Sequence, residues 1–326
     1  MTDAGADREP GAADAARHER LDALLNEQVA PKLAELRAKQ RRYRLWALFA
    51  GLGGPALAWI SFEIGDPFAI FFGRHAAVLG PGVAFYLAHL CRKAARNVVT
   101  PVVCEAIGGI THHENVRSGE VGRLRRARLV ASYNTLDIDD VFQGTHDGVA
   151  FVMMELHLKM VTRSVSGTGS NRRSSTRTRT IFRGLMFMIA TPHPIPVPIL
   201  IRGHRRRVGT PWRLSDSDLE GMQRIDISDE AFAQRCSLWT SDWGQAAQVI
   251  TPQFISVVAI LAASAGRKGI DAAFDIDQFL LLLPRRGDQF RVGGLFRSVR
   301  RLRVDAHRVM DEILMVHRLI ETLKGG

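Results

Sequence analysis

Three groups of residues have the types and spacing to bear on chemistry. His112, His113 and Glu114 form the densest run of metal-ligating types in the chain. Neighbours on a strand point to opposite faces, so these three cannot share one ion unless the backbone turns. Exposed polar side chains are the simpler reading. Glu155 and His157 lie two apart on a predicted strand and therefore share a face. That spacing suits a structural hydrogen bond first. The alternative is an acid–base pair working on a hydrolysable or lipid-linked substrate. The third group is basic: Arg123, Arg125, Arg126 and Arg128; Arg172, Arg173, Arg177 and Arg179; Arg205, Arg206 and Arg207; Arg297, Arg300, Arg301 and Arg303. Such clusters suit an anionic partner, or are a solvated basic face.

The usual catalytic fingerprints are missing. There is no GxxxxGK[ST], no GxGxxG after a strand, no HExxH and no GxSxG. Gly51-Leu52-Gly53 sits in an apolar run and Gly167-Thr168-Gly169 in a polar one, so neither cradles phosphate. Ser241-Asp242 reads as a turn or helix cap. No cofactor, metal or catalytic residue is therefore assigned. The three cysteines, Cys91, Cys104 and Cys236, are odd in number and widely spaced, which excludes a disulfide framework or a CxxC zinc site and suits reduced, buried thiols.

The chain of 326 residues carries 44 Lys and Arg against 33 Asp and Glu, a formal net charge of +11. That balance suits nucleic acid or an anionic membrane face. Nucleic acid is not expected, because only three tyrosines are present and no aromatic residues interleave with the basic clusters. Lipid headgroups or a protein partner remain.

The elements that must carry these residues begin with a membrane hairpin over 43–92. Residues 45–62 (LWALFAGLGGPALAWISF) hold no charge and approach the roughly 20 residues that cross a bilayer as a helix. Their glycines and Pro55 are tolerated where a neighbouring helix packs closely. A second stretch, 68–91, is interrupted by Arg74 and His75 and by Gly80-Pro81-Gly82, which can kink it. Arg74 is expected to snorkel to the far interface. Gly65-Asp66-Pro67 is the turn between them. A buried helical hairpin of a soluble core is the competing reading, but such a helix is usually interrupted within roughly 10–14 residues. Tyr43, Trp46, Trp59, Phe62 and Tyr86 lie near the span ends, as interfacial anchors do. Arg37, Lys39, Arg41, Arg42 and Arg44 precede the first span, and Arg92, Lys93 and Arg96 follow the second. The connecting segment has only Arg74. This asymmetry places both termini in the cytoplasm of a bacterial inner (plasma) membrane, with residues 63–75 outside.

Residues 1–17 read as a disordered acidic tail, not a signal peptide, and 18–42 as an amphipathic helix. Residues 93–326 read as a cytoplasmic α+β domain with a mainly antiparallel sheet, opening with a helix over 93–107 that breaks or kinks near Pro101. Residues 139–160 form a hairpin about Asp147-Gly148, with Glu155, His157 and Lys159 on its wetter face. A disordered polar loop is expected at about 164–180. Further strands are read at 179–190, 231–240 and 272–283, the last partnered by 288–292. Residues 245–263 are helical, with Thr251-Pro252 starting a second helix, and 296–323 form a long helix with one apolar seam. Self-association through the helices is compatible with this pattern.

The order of elements, with Phe182, Gly184, Leu185 and Phe187 after a polar loop and then Asp242, Ala246, Ile250, Thr251 and Pro252, resembles a bacterial membrane-protein family catalogued as domain of unknown function 3137. The resemblance runs over most of 20–326. It implies a bacterial membrane protein and carries over no catalytic residues. The expected role is a membrane-tethered module contacting a protein or an anionic surface; an enzyme built around Glu155 and His157 is the alternative.

Overall fold

The structure is a computed structural model that describes residues 10–114, 119–166, 173–191, 193–204, 219–285 and 287–324. The chain divides into two compact units, Met1–Gly108 with Phe290–Glu312, and Gly109–Gln289 with Ile313–Gly326. The fold is α+β: two long apolar helices, then a large antiparallel sheet and a long C-terminal helix.

The first unit is helical. Helix α1 (Pro10–Leu24) passes through a π turn (Leu25–Val29) and a 3-10 turn (Ala30–Lys32) into α2 (Leu33–Ile64). Gly65, at φ 72°, ends α2 in the left-handed conformation that glycine accommodates. Asp66 then caps α3 (Pro67–Ile107), accepting from the Ala69 amide at 2.8 Å, with Pro67 at the first helical position. The GDP turn is thus the one read from the sequence. Of the break or kink expected near Pro101, no break occurs. The second apolar stretch and residues 93–107 form one helix through Pro81 and Pro101. The flanking Val99, Thr100, Val102 and Val103 are buried, so packing offsets the lost backbone hydrogen bond.

Helices α2 and α3 meet at glycines. A β-carbon added at Gly54 would sit 2.2 Å from the Ala76 carbonyl oxygen, and one at Gly80 would sit 2.1 Å from the Ala50 carbonyl oxygen. The backbones therefore touch where side chains are absent. The outward faces stay uncovered: Phe49 is 73% exposed, Trp59 70% and Val78 75%.

The second unit is a nine-stranded sheet in the order β1-β2-β3-β4-β9-β8-β5-β7-β6, antiparallel at every pair. The strands are β1 (Ile110–Glu114), β2 (Thr135–His146), β3 (Val149–Ser166), β4 (Arg173–Ala190), β5 (Ile199–Gly203), β6 (Gln223–Ile225), β7 (Cys236–Thr240), β8 (Asp271–Asp275) and β9 (Gln278–Pro284). Asp147 (φ 48°) and Gly148 (φ 79°) make the expected two-residue turn between β2 and β3. Short helix α4 (Arg123–Arg126) precedes β2, and α5 (Glu230–Ala233) and α6 (Trp243–Ala246) flank β7. One face of β3 and β4 packs its Met154, Leu156, Phe182 and Met186 with Leu280 and Leu282 of β9. Helix α7 (Pro252–Ala265) brings Phe254 against Phe274 and Phe279, at ring separations of 5.6 and 5.5 Å. Thr251 caps α7 by accepting from the Phe254 amide, and Pro252 follows at the first position. The final helix, α8 (Leu302–Lys324), sets His317 against His146 and Phe151.

Four sequence expectations are corrected here. Residues 10–17, read as part of a disordered tail, open helix α1, while 1–9 lie outside the described residues. The loop expected at 164–180 is strand over most of its length: Arg163 pairs with Thr176 and Ser164 with Ser175. Apart from Val165 the sequence here is polar, so no apolar alternation marks it, and the backbone ladder carries the pairing together with a 2.8 Å hydrogen bond between the Ser164 and Ser175 hydroxyls. Residues 167–172 lie outside the described residues. The strand read at 231–240 begins as α5, capped by Asp229, and only Cys236–Thr240 is strand. The strand read at 272–283 is a hairpin, β8 to β9, and 288–292 is not its partner. Its turn places Ile276 at φ 51°, an uncommon conformation for a β-branched residue, so no turn chemistry announced it.

Candidate functional site

Among the described residues of the second unit, the strongest concentration of chemistry is a carboxylate trio on β2, β3 and the segment after β9, with two members buried and one partly buried. The β2–β3 register shifts between Ile138 and Val141. This bulge leaves Asp139 exposed and Asp140 at 1% exposure. Glu155, on the neighbouring strand, is 3% exposed. Asp288 completes the group, and one carboxylate oxygen from each residue lies within 4.8 Å of the others.

Hydrogen bonds set the trio's geometry. His112 Nε2 donates to Asp140 Oδ1 at 2.7 Å, and its ring lies 4.7 Å from that of Phe142. The Gln289 amide donates to Glu155 Oε2 at 2.9 Å. Burial pushes the Glu155 carboxyl up to about 8; the Gln289 amide opposes this, and the carboxylates of Asp288, Asp139 and Asp140 add to it. Ionised carboxylates this close repel one another, which favours the neutral form of the buried Glu155. A proton on Glu155 relieves that repulsion. The same oxygen set is the type that holds a hard divalent cation.

The expected Glu155–His157 pair does not form. Both were read on the wetter face of the strand, yet Glu155 is buried, alongside Phe151 and Met153. His157 Nε2 instead meets Thr180 Oγ1 at 3.3 Å on β4. Burial lowers its pKa first, and Lys159 and Arg183 lower it further. A cleft of about 340 Å³ in this unit is lined by Thr191, His193, Gln245, Gln248, Phe274 and Leu323 among others, and neither Glu155 nor His157 reaches it. His112 and His113 do separate as the strand period requires, His113 turning to Gln143 at 3.1 Å. The cysteines are free and buried, and burial raises Cys104 to about 11 and Cys236 to about 12, which leaves them unreactive thiols.

The arginines divide by their partners. Arg123 is held by Glu120 at 2.9 Å and Asp277 at 3.0 Å, while Arg125 and Arg126 are exposed. Arg297 pairs with the buried Asp305 at 3.1 Å, while Arg300 and Arg301 are exposed. Arg173 opens β4. Arg172, Arg205, Arg206 and Arg207 lie outside the described residues.

Sequence reasoning missed Asp140 and Asp288. The available signal was Glu155 itself, a lone acid inside the apolar run FVMMELHL, facing the acidic Asp137, Asp139 and Asp140 of the next strand.

Among solved structures, the chain is similar to the crystal structure of the mycobacterial trehalose monomycolate transport factor A, TtfA. Identity is 8%, the alignment covers 69% of this chain and 94% of that one, and the TM-score is 0.34. No curated protein matches. The motif residues Phe182, Gly184, Leu185 and Phe187, and Asp242 through Pro252, all fall within residues 180–324, the span matched by a family model. Gly184 there adopts φ 155°, and a β-carbon on it would sit 2.2 Å from the Leu283 carbonyl oxygen of β9. The resemblance read from the sequence is thus matched over residues 180–324 by the family described as "Protein of unknown function (DUF3137)".

Proposed function

We propose that α2 and α3 cross a bacterial inner membrane as a hairpin, with residues 63–75 outside and both termini in the cytoplasm. The remainder is a membrane-tethered α+β module that works by contact, not catalysis. The observation that carries this reading is the exposure of the hairpin. In the most apolar stretches of these helices only 11% and 6% is buried within the protein. A core helix of a soluble fold would be covered, and an apolar face this long in water would aggregate. Bilayer hydrocarbon is the medium that suits it. Orientation rests on the basic flanks, and Arg74, two turns into α3, snorkels to the outer interface.

The module's exposed Arg125, Arg126, Arg300 and Arg301 are its candidate contacts with anionic headgroups or an acidic protein surface. The enzyme alternative has less support, because Glu155 is buried and His157 is engaged by Thr180. The test is extraction of the full chain from membranes. It should stay in the pellet through alkaline carbonate and urea and leave only with detergent. Release by carbonate would contradict the spanning reading.

A further inference from the structure

We propose that residues 293–301 form a second, non-spanning membrane contact in which Phe296 inserts at the headgroup boundary and Arg300 and Arg301 bind the phosphates of anionic lipids. The proposal rests on the reading of α2 and α3 as spans and adds a surface that the hairpin alone does not supply.

The loop lies in the first unit, docked on the two helices. Leu295 packs with Ala47 of α2 and Cys91 of α3, beside Tyr43, Leu87 and Ala88. Ala47 is among the first residues of the charge-free run 45–62, and Cys91 is the last of the stretch 68–91. Leu295 therefore sits where both apolar stretches begin on their basic-flanked side. Residues 40–47 of a helix cover about 10 Å of rise, enough to cross the roughly 5–8 Å polar layer on one side of a bilayer. Phe296 follows directly and is 72% exposed.

The loop is fixed in place. Buried Gln40 donates through Nε2 to the carbonyl oxygens of Gly294 and Arg297, each at 2.6 Å. Arg44 Nε donates to the Leu295 carbonyl oxygen at 2.5 Å. Gly293, at φ 64°, donates its amide to Asp305 Oδ2 at 2.9 Å, and its missing β-carbon lets the loop reach Ala95. Arg297, bound to Asp305, serves the loop's own structure. Arg300 and Arg301 face solvent. An exposed aromatic followed within one short segment by two exposed arginines, on a loop docked where the apolar stretches of α2 and α3 meet their basic flanks, has the chemistry of an anionic leaflet's boundary: an apolar edge and phosphates. Continuity with the hairpin's apolar surface selects the lipid leaflet as the occupant.

The test uses the full chain in nanodiscs of phosphatidylcholine, with or without phosphatidylglycerol. An environment-sensitive dye is attached at Phe296→Cys or, separately, at Leu52→Cys. The label at 296 should be quenched by lipids with a nitroxide near the headgroup, and the label at 52 by lipids with the nitroxide deep in the acyl chain. Phosphatidylglycerol should strengthen quenching at 296. Arg300→Gln and Arg301→Gln should each weaken that preference about five-fold. If the label at 296 responds only to aqueous iodide while that at 52 responds to lipid, the loop proposal falls and the spans stand. If neither label responds to lipid, the spanning reading falls with it. Equal quenching in both compositions would overturn the headgroup assignment.

Discussion

Glu155 makes a definite statement about pH. Its carboxyl, ordinarily near 4.5, is pushed to about 8 in the folded chain, chiefly by burial. A raised carboxyl pKa means the folded state binds the proton more tightly than the unfolded state. Its stability contribution is therefore fully present below the ordinary value and is lost as pH rises toward about 8. At about 1.4 kcal/mol per pKa unit, the loss is on the order of a few kcal/mol. Glu155→Gln keeps the shape and removes the titration. In thermal unfolding of the detergent-solubilised chain, the variant should lose less stability than the parent between pH 5 and pH 8. Parallel slopes would show that Glu155 does not titrate there. Of the trio only Glu155 was singled out from the sequence, and it was read on the strand's wetter face. A lone acid in an apolar strand flags a buried charge, but its partners come from a β-bulge and from a segment 133 residues on (155 to 288). Neither leaves a periodic trace.

At the scale of elements, local chemistry was legible wherever it has a residue signature. Asp147-Gly148 turns a hairpin, Gly65-Asp66-Pro67 ends one helix and caps the next, and Thr251-Pro252 starts α7. Elements without a signature were misread. The strands over 173–180 are polar on both faces, the β8–β9 turn uses Ile276, and α3 runs through Pro101 because its neighbours are buried. The glycines of the first span were read as allowing close packing and Gly80-Pro81-Gly82 as a kink, and the structure puts glycines of both helices at the contact. Gly54 and Gly80 each lie against a backbone carbonyl of the opposite helix. Gly80→Leu should force α2 and α3 apart, lowering the chain's thermal midpoint in detergent, whereas Gly82→Leu, whose added β-carbon meets nothing within 4 Å, should change it little. Equal effects at both sites would mean the helices do not pack through this face.

For the whole molecule, the α+β class and the order of its parts followed from composition and periodicity. Long apolar runs are stable when buried or placed in lipid, and the exposure of Phe49, Trp59 and Val78 is what supports the proposed bilayer location. The role of the domain was less legible. Contact surfaces made of arginines have no spacing rule, and the carboxylate trio is assembled by the sheet itself. The central claim is that the α2–α3 turn lies outside the cell while the C-terminus lies inside. The most direct measurement is labelling of intact cells with a membrane-impermeant maleimide. Ile64→Cys, exposed at the turn, and Lys324→Cys, exposed near the C-terminus, are compared against the parent chain, whose cysteines are buried. A crossing hairpin with cytoplasmic termini predicts labelling at 64 in intact cells and at 324 only after permeabilisation. Labelling at 324 in intact cells, or at neither site until the cells are opened, would contradict it.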